Sequence, residues 1–347
     1  MPLYNSGAAQ KLDSTFAYRN SDYSASGRVP SWKMGLNATL TEDLRLRYTK
    51  SHDVREPNFA ERYLTGSGGG SVQDKQLNNV TNSSLTILAT PNTRLNVEEA
   101  NTDTAGFVYQ PSFAEWVDGV QIALDWYEIT LTGAIARYGA QRIADDCFAT
   151  KNTYTCALIA RDPNTQTITR ILDEYVNVGG AQTRGVDLEV QYTVEPNFFS
   201  SQQESLSMRV LAGYLGENST TSAAGTTVNA VGGTERAQNT ANVSMNYSIG
   251  DYSVRAVANY YGDTMVNTLW IQGVDIDDNT ISSQTTINLG LSYGQEMARG
   301  GDWSTSFSIS NLFDRDPPIV PGAGGQSLSN SHDQFGRRYQ ISLDMSF

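Results

Sequence analysis

Two cysteines are the most reactive side chains in this sequence of 347 residues, and they lie close together. Cys147 and Cys156 are separated by eight residues in a polar segment. This spacing is not a standard zinc-binding spacing, so a structural metal site is not expected. Two interpretations remain at this point. The cysteines are unrelated thiols of a reducing compartment, or they form a disulfide that closes a loop in an exported protein.

The only two histidines also stand in a pattern that could do chemistry. His52 and His332 are each followed by an aspartate, Asp53 and Asp333. With a nearby serine, either pair could supply the Ser-His-Asp site of a hydrolase. However, no serine is marked as a nucleophile by its local sequence, so solvated loop histidines are the better interpretation. A hydrolase is kept as an alternative function.

Two further segments resemble ligand sites but lack essential residues. The acidic cluster of Asp275, Asp277 and Asp278 does not have the Asp-x-Asp-x-Asp-Gly pattern of a calcium loop, so a solvated run of charge is favoured. The glycine-rich residues 66–70 lack the Lys-Ser/Thr pair of a phosphate-binding loop and are interpreted as a loop tip. We therefore expect no cofactor and no resident metal.

The composition excludes several classes of protein. The formal net charge is −13, and there is no basic run that could form a nucleic-acid surface, so nucleic acid is not an expected partner. Charged residues make up only 18% of the chain, while 18 tyrosines and 30 glycines are present, which argues against a helical bundle. No apolar run approaches the length of a membrane-spanning helix.

A regular alternation of apolar and polar residues recurs along the chain. At the C-terminus, Tyr339, Ile341, Leu343, Met345 and Phe347 face one side, and the residues between them are polar. A period of two is typical of a half-exposed β-strand. Similar patterns predict twelve strands, at about residues 12–19, 32–40, 44–49, 103–110, 120–131, 186–192, 206–214, 241–247, 252–260, 286–293, 303–310 and 338–347.

The connections between these strands alternate in length. Short turns are predicted at 41–43, 111–119, 193–205, 248–251 and 294–302, and long polar loops at 51–101, 132–167, 215–238, 261–284 and 313–337. Aromatic residues bracket the short turns, as at Tyr247 and Tyr252 and at Tyr293 and Trp303. The pattern favours an all-β, transmembrane, antiparallel up-and-down β-barrel over a soluble β-sandwich, with long loops outside the cell and short turns in the periplasm.

Several short motifs, in order along the chain, resemble those of TonB-dependent outer-membrane receptors. Strand-flanking segments 98–111 and 125–129 are similar to strands of that family. The motif residues are Arg55, Pro57, Asn58 and Glu61 of an R-x-P-N-x-x-E element, Gly185 and Asp187, Asn311, Leu312, Phe313, Asp314, Pro317 and Pro318 of an "NLFD..PP" element, and the terminal Phe347.

The resemblance implies an incomplete barrel. Receptors of this family have 22 strands, so residues 1–347 would supply about the last twelve, which form an open half-barrel when they stand alone. The signal peptide, the TonB box and the plug domain have no counterpart in this sequence and are expected to lie outside it. Exported loops also imply that Cys147 and Cys156 form a disulfide, since similar cysteine pairs occur in some of these receptors.

The function implied by the resemblance is energised uptake of a scarce nutrient: a ferric siderophore or similar chelate, cobalamin, or an oligosaccharide. The expected partners are outer-membrane lipid, the plug domain, the TonB energy-coupling complex, the barrel-assembly machinery at the C-terminal strand, and the nutrient. No catalytic residues are implied. A twelve-stranded autotransporter translocator stays as a second alternative. Five arginines are predicted to face the lumen and contact the plug or an anionic ligand: Arg45, Arg47, Arg184, Arg209 and Arg255.

Overall fold

The computed structural model describes residues 2–5, 11–177, 179–199, 202–221, 227–234, 236–296, 300–322, 325–328, 333 and 335–346. His332 and Phe347, both singled out in the sequence, lie outside the described residues. The strands are β1 Pro2–Asn5, β2 Lys11–Tyr23, β3 Gly27–Thr39, β4 Leu44–Arg55, β5 Gly66–Asp74, β6 Val80–Thr90, β7 Glu98–Tyr109, β8 Val120–Thr132, β9 Ile135–Arg137, β10 Ile159–Arg161, β11 Ile168–Asn177, β12 Gly180–Val194, β13 Glu204–Thr221, β14 Thr227–Asn229, β15 Asn239–Ile249, β16 Tyr252–Tyr261, β17 Thr264–Met265, β18 Thr280–Ile281, β19 Gln284–Glu296, β20 Asp302–Ser310, β21 Ile319–Gly322, β22 Gly325–Leu328 and β23 Arg338–Ser346. The α-helices are α1 Phe59–Tyr63, α2 Ala140–Thr150 and α3 Thr153–Ala157.

One large antiparallel sheet, which we call the wall, organises the molecule. Its strands follow the order β1-β2-β3-β4-β7-β8-β12-β13-β15-β16-β19-β20-β23, and β14 pairs with β13 off this path. Each strand pairs with the next wall strand along the chain, which is up-and-down topology. Within the described residues, β1 and β23 are not paired with each other, so the wall is an open sheet. The twelve predicted strands are confirmed, and the short β1 is an addition to them.

The wall has one apolar face because its strands alternate with a period of two. On β23, the apolar side chains of Tyr339, Ile341, Leu343 and Met345 are 55–77% exposed. Rings of neighbouring strands meet on the same face, with centroids 4.7 Å apart for Tyr252 and Tyr293 and 5.4 Å for Tyr293 and Trp303. Of the predicted pairs, Tyr293 and Trp303 are thus in ring contact near a short turn, and Tyr252 contacts Tyr293 of the neighbouring strand. Such a continuous exposed apolar face is what lipid contact requires.

The connections differ in length at the two edges of the wall. The turn between β15 and β16 contains only Gly250 and Asp251, with Gly250 at φ +52°. The connections after β4, β8, β13, β16 and β20, at the opposite edge, are long. One connection departs from the predicted alternation, because β2 and β3 are joined by a short turn at the long-loop edge.

Two of the long loops contain regular structure, and the glycine-rich residues 66–70, which were interpreted as a loop tip, lie in strand β5. Parts of the loops after β4 and β8 form a second sheet with the order β10-β11-β6-β5, and β9 pairs with β11. We call this unit, residues 66–90 and 135–177, the loop module. It contains a buried apolar cluster, which α2 covers. The cluster consists of Val72, Leu85, Ile143, Ala144, Ile168 and Ile171. Strands β6 and β11 pair in parallel, which a pattern of hairpins does not predict.

The segment before the first cysteine contains both a strand and a helix. Ile135–Arg137 is strand β9, and helix α2 begins only at Ala140. Gly139 separates the two elements at φ +99°, a conformation that favours glycine. Strand β9 forms because Arg137 and its neighbours pair with Tyr175–Asn177 of β11. Among the described residues, no helix is long and apolar enough to cross a membrane.

Candidate functional site

The concave face of the wall carries charged side chains in ion pairs between strands. Arg47 of β4 reaches across β7 to Asp125 of β8, with Nε donating to Oδ1 at 2.7 Å. Arg209 of β13 donates to Glu189 of β12 at 2.8 Å. The reach of Arg47 depends on Gly106 of β7, since a Cβ there would lie 2.1 Å from Asp125 Oδ1. The role of this glycine was not apparent from the sequence.

The five arginines predicted to face the lumen do not behave alike. Arg45 and Arg255 lie on the face of Arg47 and Arg209, but neither has a hydrogen-bond or ion-pair partner within the described part of the chain. Arg184 is on the opposite face, because it shares the parity of Val186 and lies opposite Glu128 and Glu217. It pairs with Glu217 at 3.3 Å. The prediction that Arg184 faces the lumen was wrong.

A cavity of about 730 Å³ opens on the concave face between β8 and β19. Its polar lining includes the amides of Asn242, Asn259 and Asn288 and the carboxylate of Asp187. The Asn242 amide donates to the Asn259 side chain at 2.6 Å. Such a surface offers many hydrogen-bond donors and acceptors and suits a polar ligand or a polar protein surface.

The R-x-P-N-x-x-E element fastens the first long loop to the wall. Asn58 caps α1, accepting from Glu61 N at 2.9 Å, while the Glu61 carboxylate accepts from Asn58 N at 2.7 Å. Pro57, which is buried, precedes the cap. Arg55 donates to both Glu61 oxygens at 3.1 Å and to Glu98 of β7. Arg55 and Glu61 of this element, together with Glu98, thus link β4, α1 and β7.

A neighbouring arginine that sequence reasoning missed is more deeply buried. Arg62 of α1 is only 4% exposed and ion-pairs with Glu56 at 2.7 Å. It also donates to Ser26 in the β2–β3 turn at 2.7 Å and to the carbonyl oxygens of Thr93 and Leu95 at 2.9 and 3.1 Å. One guanidinium therefore joins both ends of the first long loop to a separate turn.

The "NLFD..PP" element forms a turn that returns the chain to the wall. Asn311 is fully buried at φ +52°, and its amide donates to and accepts from the backbone of Arg315 at 2.9 Å. Leu312 N donates to the Ile287 carbonyl oxygen at 2.7 Å. Asp314, also at φ +52°, accepts from Arg337 N at 2.7 Å. Phe313 is exposed, whereas Pro317 and Pro318 are half-buried.

The other motif residues, Gly185 and Asp187, lie on the concave side of β12. A Cβ on Gly185 would lie 2.4 Å from the Tyr214 carbonyl oxygen and 2.6 Å from the Tyr127 hydroxyl. Glycine is thus required where the ring of Tyr127 crosses the strand. Asp187 lies opposite Asp125 in the register and lines the cavity.

The two cysteines are bonded to each other, as the resemblance implied. Cys147 near the end of α2 and Cys156 in α3 form a disulfide with their Cα atoms 4.8 Å apart. The bridge joins the two helices of the loop module. Two further polar contacts lie in the loop module: Arg161 donates to the Asp74 carboxylate at 2.5 and 3.1 Å, and the Tyr154 hydroxyl donates to Glu174. Burial and this hydrogen bond raise the pKa of Tyr154 to about 12.

We expect the loop module to loosen in acid. Burial raises the pKa of the Asp74 carboxyl, but hydrogen bonds from Arg161 and the backbone outweigh it, so the net pKa is lowered. Backbone hydrogen bonds from Thr165 and Asn164 lower the pKa of Asp162 as well. Carboxyls with lowered pKa stabilise the fold above their unfolded pKa of about 4, and this contribution is lost as pH falls through the folded value. Below about pH 4, the amide hydrogens of β5 and β10 should therefore exchange faster than the intrinsic pH dependence of amide exchange predicts.

Asp74→Asn gives the matched control for this acid effect. The variant removes the titrating carboxyl that binds Arg161. The acid-induced increase in amide exchange of β5 and β10 should therefore become smaller, while amide exchange in the wall strands stays the same. An identical pH profile in Asp74→Asn and the parent would contradict the assignment.

The histidine that is described does not belong to an assembled catalytic site. The ring of His52 stacks near Trp32, and its Nδ1 lies 3.1 Å from the Asn101 side-chain oxygen. Ser51 donates instead to Asp53 at 2.8 Å. In the part of the chain that the structure describes, the serine and the histidine thus have different partners. The hydrolase alternative gains no support from this geometry.

The sequence matches a known family over most of its length. Residues 5–312 match the family model of the TonB dependent receptor-like β-barrel. No curated protein matches the chain at a significant level.

Solved receptors share the fold of the chain. The siderophore receptor PirA from Acinetobacter baumannii is similar, with a TM-score of 0.63 and 18% identity. A mutant of the ferric enterobactin receptor PfeA from Pseudomonas aeruginosa, in complex with enterobactin, is also similar, with a TM-score of 0.63 and 16% identity. Both alignments cover 96% of this chain and 43% of the other. The copper transporter OprC has a TM-score of 0.53 and 14% identity. Its alignment covers 98% of this chain and 46% of the transporter.

The chain thus spans less than half the length of these solved structures. An up-and-down antiparallel wall, a charged concave face and long loops at one edge all agree with the family match. The chain belongs to the TonB-dependent receptor-like β-barrel family.

Proposed function

We propose that the chain forms the C-terminal part of the barrel wall, and the loops it carries, of a receptor that takes up a scarce nutrient across the outer membrane. The observation that carries this proposal is the single up-and-down wall with an apolar face on one side and paired charges on the other. The first face suits lipid, and the second suits a water-filled or plugged lumen. The protein then acts as a transporter and not as an enzyme.

We also propose a domain organisation. Residues 1–347 form one part of a larger barrel, and the signal peptide, TonB box and plug domain belong to parts of the receptor outside this chain. The coverage of 96% of this chain but 43% of the solved receptors supports that arrangement. The plug connects the receptor to the TonB complex, and the C-terminal strand β23 is the segment for the barrel-assembly machinery.

We infer an orientation with the long loops outside the cell and the short turns in the periplasm. The Cys147–Cys156 disulfide lies at the long-loop edge and supports an exported, oxidising location for that edge. Membrane-facing aromatic pairs near the short turns support an interface at the other edge.

The nutrient we propose is a metal chelate of the siderophore kind. The similar solved proteins include siderophore receptors and a copper transporter. Cobalamin and oligosaccharides remain alternatives, because a shared fold does not fix the ligand. On the concave face, the unpaired Arg45 and Arg255 are the arginines we assign to contact with acidic groups of the plug.

Uptake measured in cells tests the proposal. A deletion strain complemented with the full-length receptor should accumulate one of four labelled probes, namely ferric enterobactin, copper(II), cyanocobalamin or a maltodextrin. Accumulation should stop without TonB. Arg255→Gln should slow uptake more than Arg209→Gln, because Arg209 already has Glu189 as a partner in the wall. Uptake that persists without TonB would contradict the receptor function, and equal effects of the two variants would contradict the role of Arg255.

A further inference from the structure

Two neighbouring wall strands, β4 and β7, carry an ion pair near the middle of their length. Lys50 of β4 stands directly opposite Asp103 of β7, and its Nζ lies 3.1 and 3.0 Å from the two carboxylate oxygens. The Tyr48 hydroxyl donates to the same carboxylate at 2.7 Å. Two residues nearer the long loops, His52 Nδ1 lies 3.1 Å from the Asn101 side-chain oxygen. We call Lys50, His52, Asn101 and Asp103 the polar notch.

The polar notch lies on the apolar face of the wall. Two residues from the ion pair toward the short turns, Tyr48 of β4 opposes Ala105 of β7, and Ala105 opposes Trp126 of β8. Trp126 in turn opposes Val186 of β12. Directly opposite residues share a face of a sheet, and every second residue of a strand returns to that face. The notch therefore interrupts the face that we assign to lipid and is not part of the concave face.

The apolar face is shorter on β4 and β7 than on the strands to either side. On this face β3 presents five apolar side chains, at every second position of residues 30–38, and β12 presents five in residues 186–194. By contrast, β4 presents three in residues 44–48 and β7 three in residues 105–109, and the ion pair comes next. Strands tilted by roughly 40° rise about 5 Å for every second residue, so five positions span the roughly 25 Å of an apolar membrane band and three span only about 15 Å. The ion pair thus lies at a depth that is hydrocarbon beside β3 and β12.

An ion pair at this depth favours a polar partner surface over lipid. Charged side chains that face hydrocarbon are costly, and they occur where a partner or a function requires them. Lys50 and Asp103 keep 43% and 28% of their side-chain surface exposed, so a partner can reach both. An anionic lipid head group suits the notch poorly, because Glu128 of β8 stands opposite Asp103 and sets two carboxylates against one lysine.

A second copy of the receptor matches the notch in both depth and charge. Two copies lie at the same depth in one membrane, so their notches meet at the same level. Lys50 and Asp103 stand side by side on adjacent strands. A two-fold axis along the membrane normal, between β4 and β7, therefore places Lys50 of each copy against Asp103 of the other. The notch is thus complementary to itself, and each charge gains a second opposite charge.

We propose that two copies of the receptor associate side by side in the outer membrane through the polar notch. This inference rests on the outer-membrane placement proposed above and adds a partner to it. Leu46 and Phe107, on the same face toward the short turns, pack against the second copy. The reciprocal ion pairs of Lys50 and Asp103 fix the register of the contact.

Cross-linking of the full-length receptor in isolated outer membranes tests this association. Ala105 is exposed and lies two residues from Asp103 on the same face, close to the proposed axis. A short bismaleimide should therefore join two copies of the Ala105→Cys receptor into a covalent dimer. Leu291→Cys is the matched control, because Leu291 lies on the same face and is 44% exposed but belongs to the distant strand β19. It should give no dimer.

Two double variants on the Ala105→Cys background separate the ion pair from the fold of the wall. Lys50→Leu with Asp103→Leu extends the apolar face, so the barrel should still fold, as its heat-dependent migration on a denaturing gel reports. The cross-linked dimer should decrease at least about tenfold, because both charge pairs between the copies are lost. Lys50→Asp with Asp103→Lys exchanges the charges and keeps the complementarity, so cross-linking should persist.

Three results would overturn the proposal. The first is equal cross-linking at Ala105→Cys and Leu291→Cys, and the second is unchanged cross-linking in the double leucine variant. The third is a monomeric Ala105→Cys receptor whose thiol reacts with a charged, water-soluble maleimide, which indicates a locally thinned outer leaflet at the notch. A cross-link to a different outer-membrane protein in place of the dimer also rejects a second copy as the occupant.

The outcome does not depend on the transport test. Failure of TonB-dependent uptake with an intact Ala105→Cys dimer would reject the receptor function and retain the association of two barrels. TonB-dependent uptake by a receptor that does not cross-link at this position would retain the receptor function and reject the association.

Discussion

Replacing Arg62 by alanine is expected to release the first long loop from the wall. The guanidinium binds Glu56, Ser26 and two carbonyl oxygens, and it is almost fully buried. Removing one partner of a buried ion pair typically costs about 3–5 kcal/mol, because the other charge stays buried and unpaired. Local opening of the loop should therefore become at least about a hundredfold more frequent. Hydrogen exchange of residues 56–97 in the full-length receptor measures this change.

Arg94→Ala is the matched control, because Arg94 lies in the same loop but is exposed. Exposed substitutions of this kind usually change stability by less than about 0.5 kcal/mol. Arg62→Lys keeps the charge but loses the several donors that reach two carbonyl groups, so it should restore only part of the protection. Exchange in Arg62→Ala that equals exchange in Arg94→Ala would show that the buried network does not hold the loop.

Removing the disulfide is expected to produce the second large effect. Cys147 and Cys156 close a short loop, for which the loss of chain entropy in the unfolded state amounts to about 3 kcal/mol. In the variant with Cys147→Ser and Cys156→Ser, helices α2 and α3 should exchange their amides about a hundredfold faster. The apolar cluster under α2 should loosen with them, since Ile143 and Ala144 belong to both.

The wall strands supply the internal control for this measurement. They form a separate sheet, so exchange in β15 and β16 should stay the same. Reduction of the parent with dithiothreitol should reproduce the effect of the double variant. Unchanged protection of α2 after both treatments would show that the packing of the module is sufficient without the covalent bond.

The wall could be predicted from the sequence because its signal is local and repeated. Alternation at Tyr339, Ile341 and Leu343 identifies both the strand and its apolar face, and the next strand is always the next partner. The family motifs also identified residues that contact each other, since Arg55 donates hydrogen bonds to Glu61. In these regions, neighbours in sequence are neighbours in space.

The loop module could not be predicted in this way because its contacts are not local. Strand β6 pairs with β11, whose residues lie beyond two wall strands in the sequence, and nothing in either segment specifies its partner. Arg184 was misplaced for a different reason. It has the parity of the apolar residues Val186 and Leu188, and the regular pairing of β12 with β8 keeps that parity, so the alternation itself already assigned Arg184 to the apolar face.

The parallel pairing of β6 with β11 also has a consequence for biogenesis. In the orientation proposed above, both strands belong to loops that must cross the outer membrane before they can meet, and the chain between them includes β7 and β8. In that orientation the pairing of β6 with β11 can form only after this hairpin has been inserted and both loops have reached the cell surface. Packing of β6 against β11 is then a late event, whereas the Cys147–Cys156 bond joins two residues of a single loop and does not depend on that pairing.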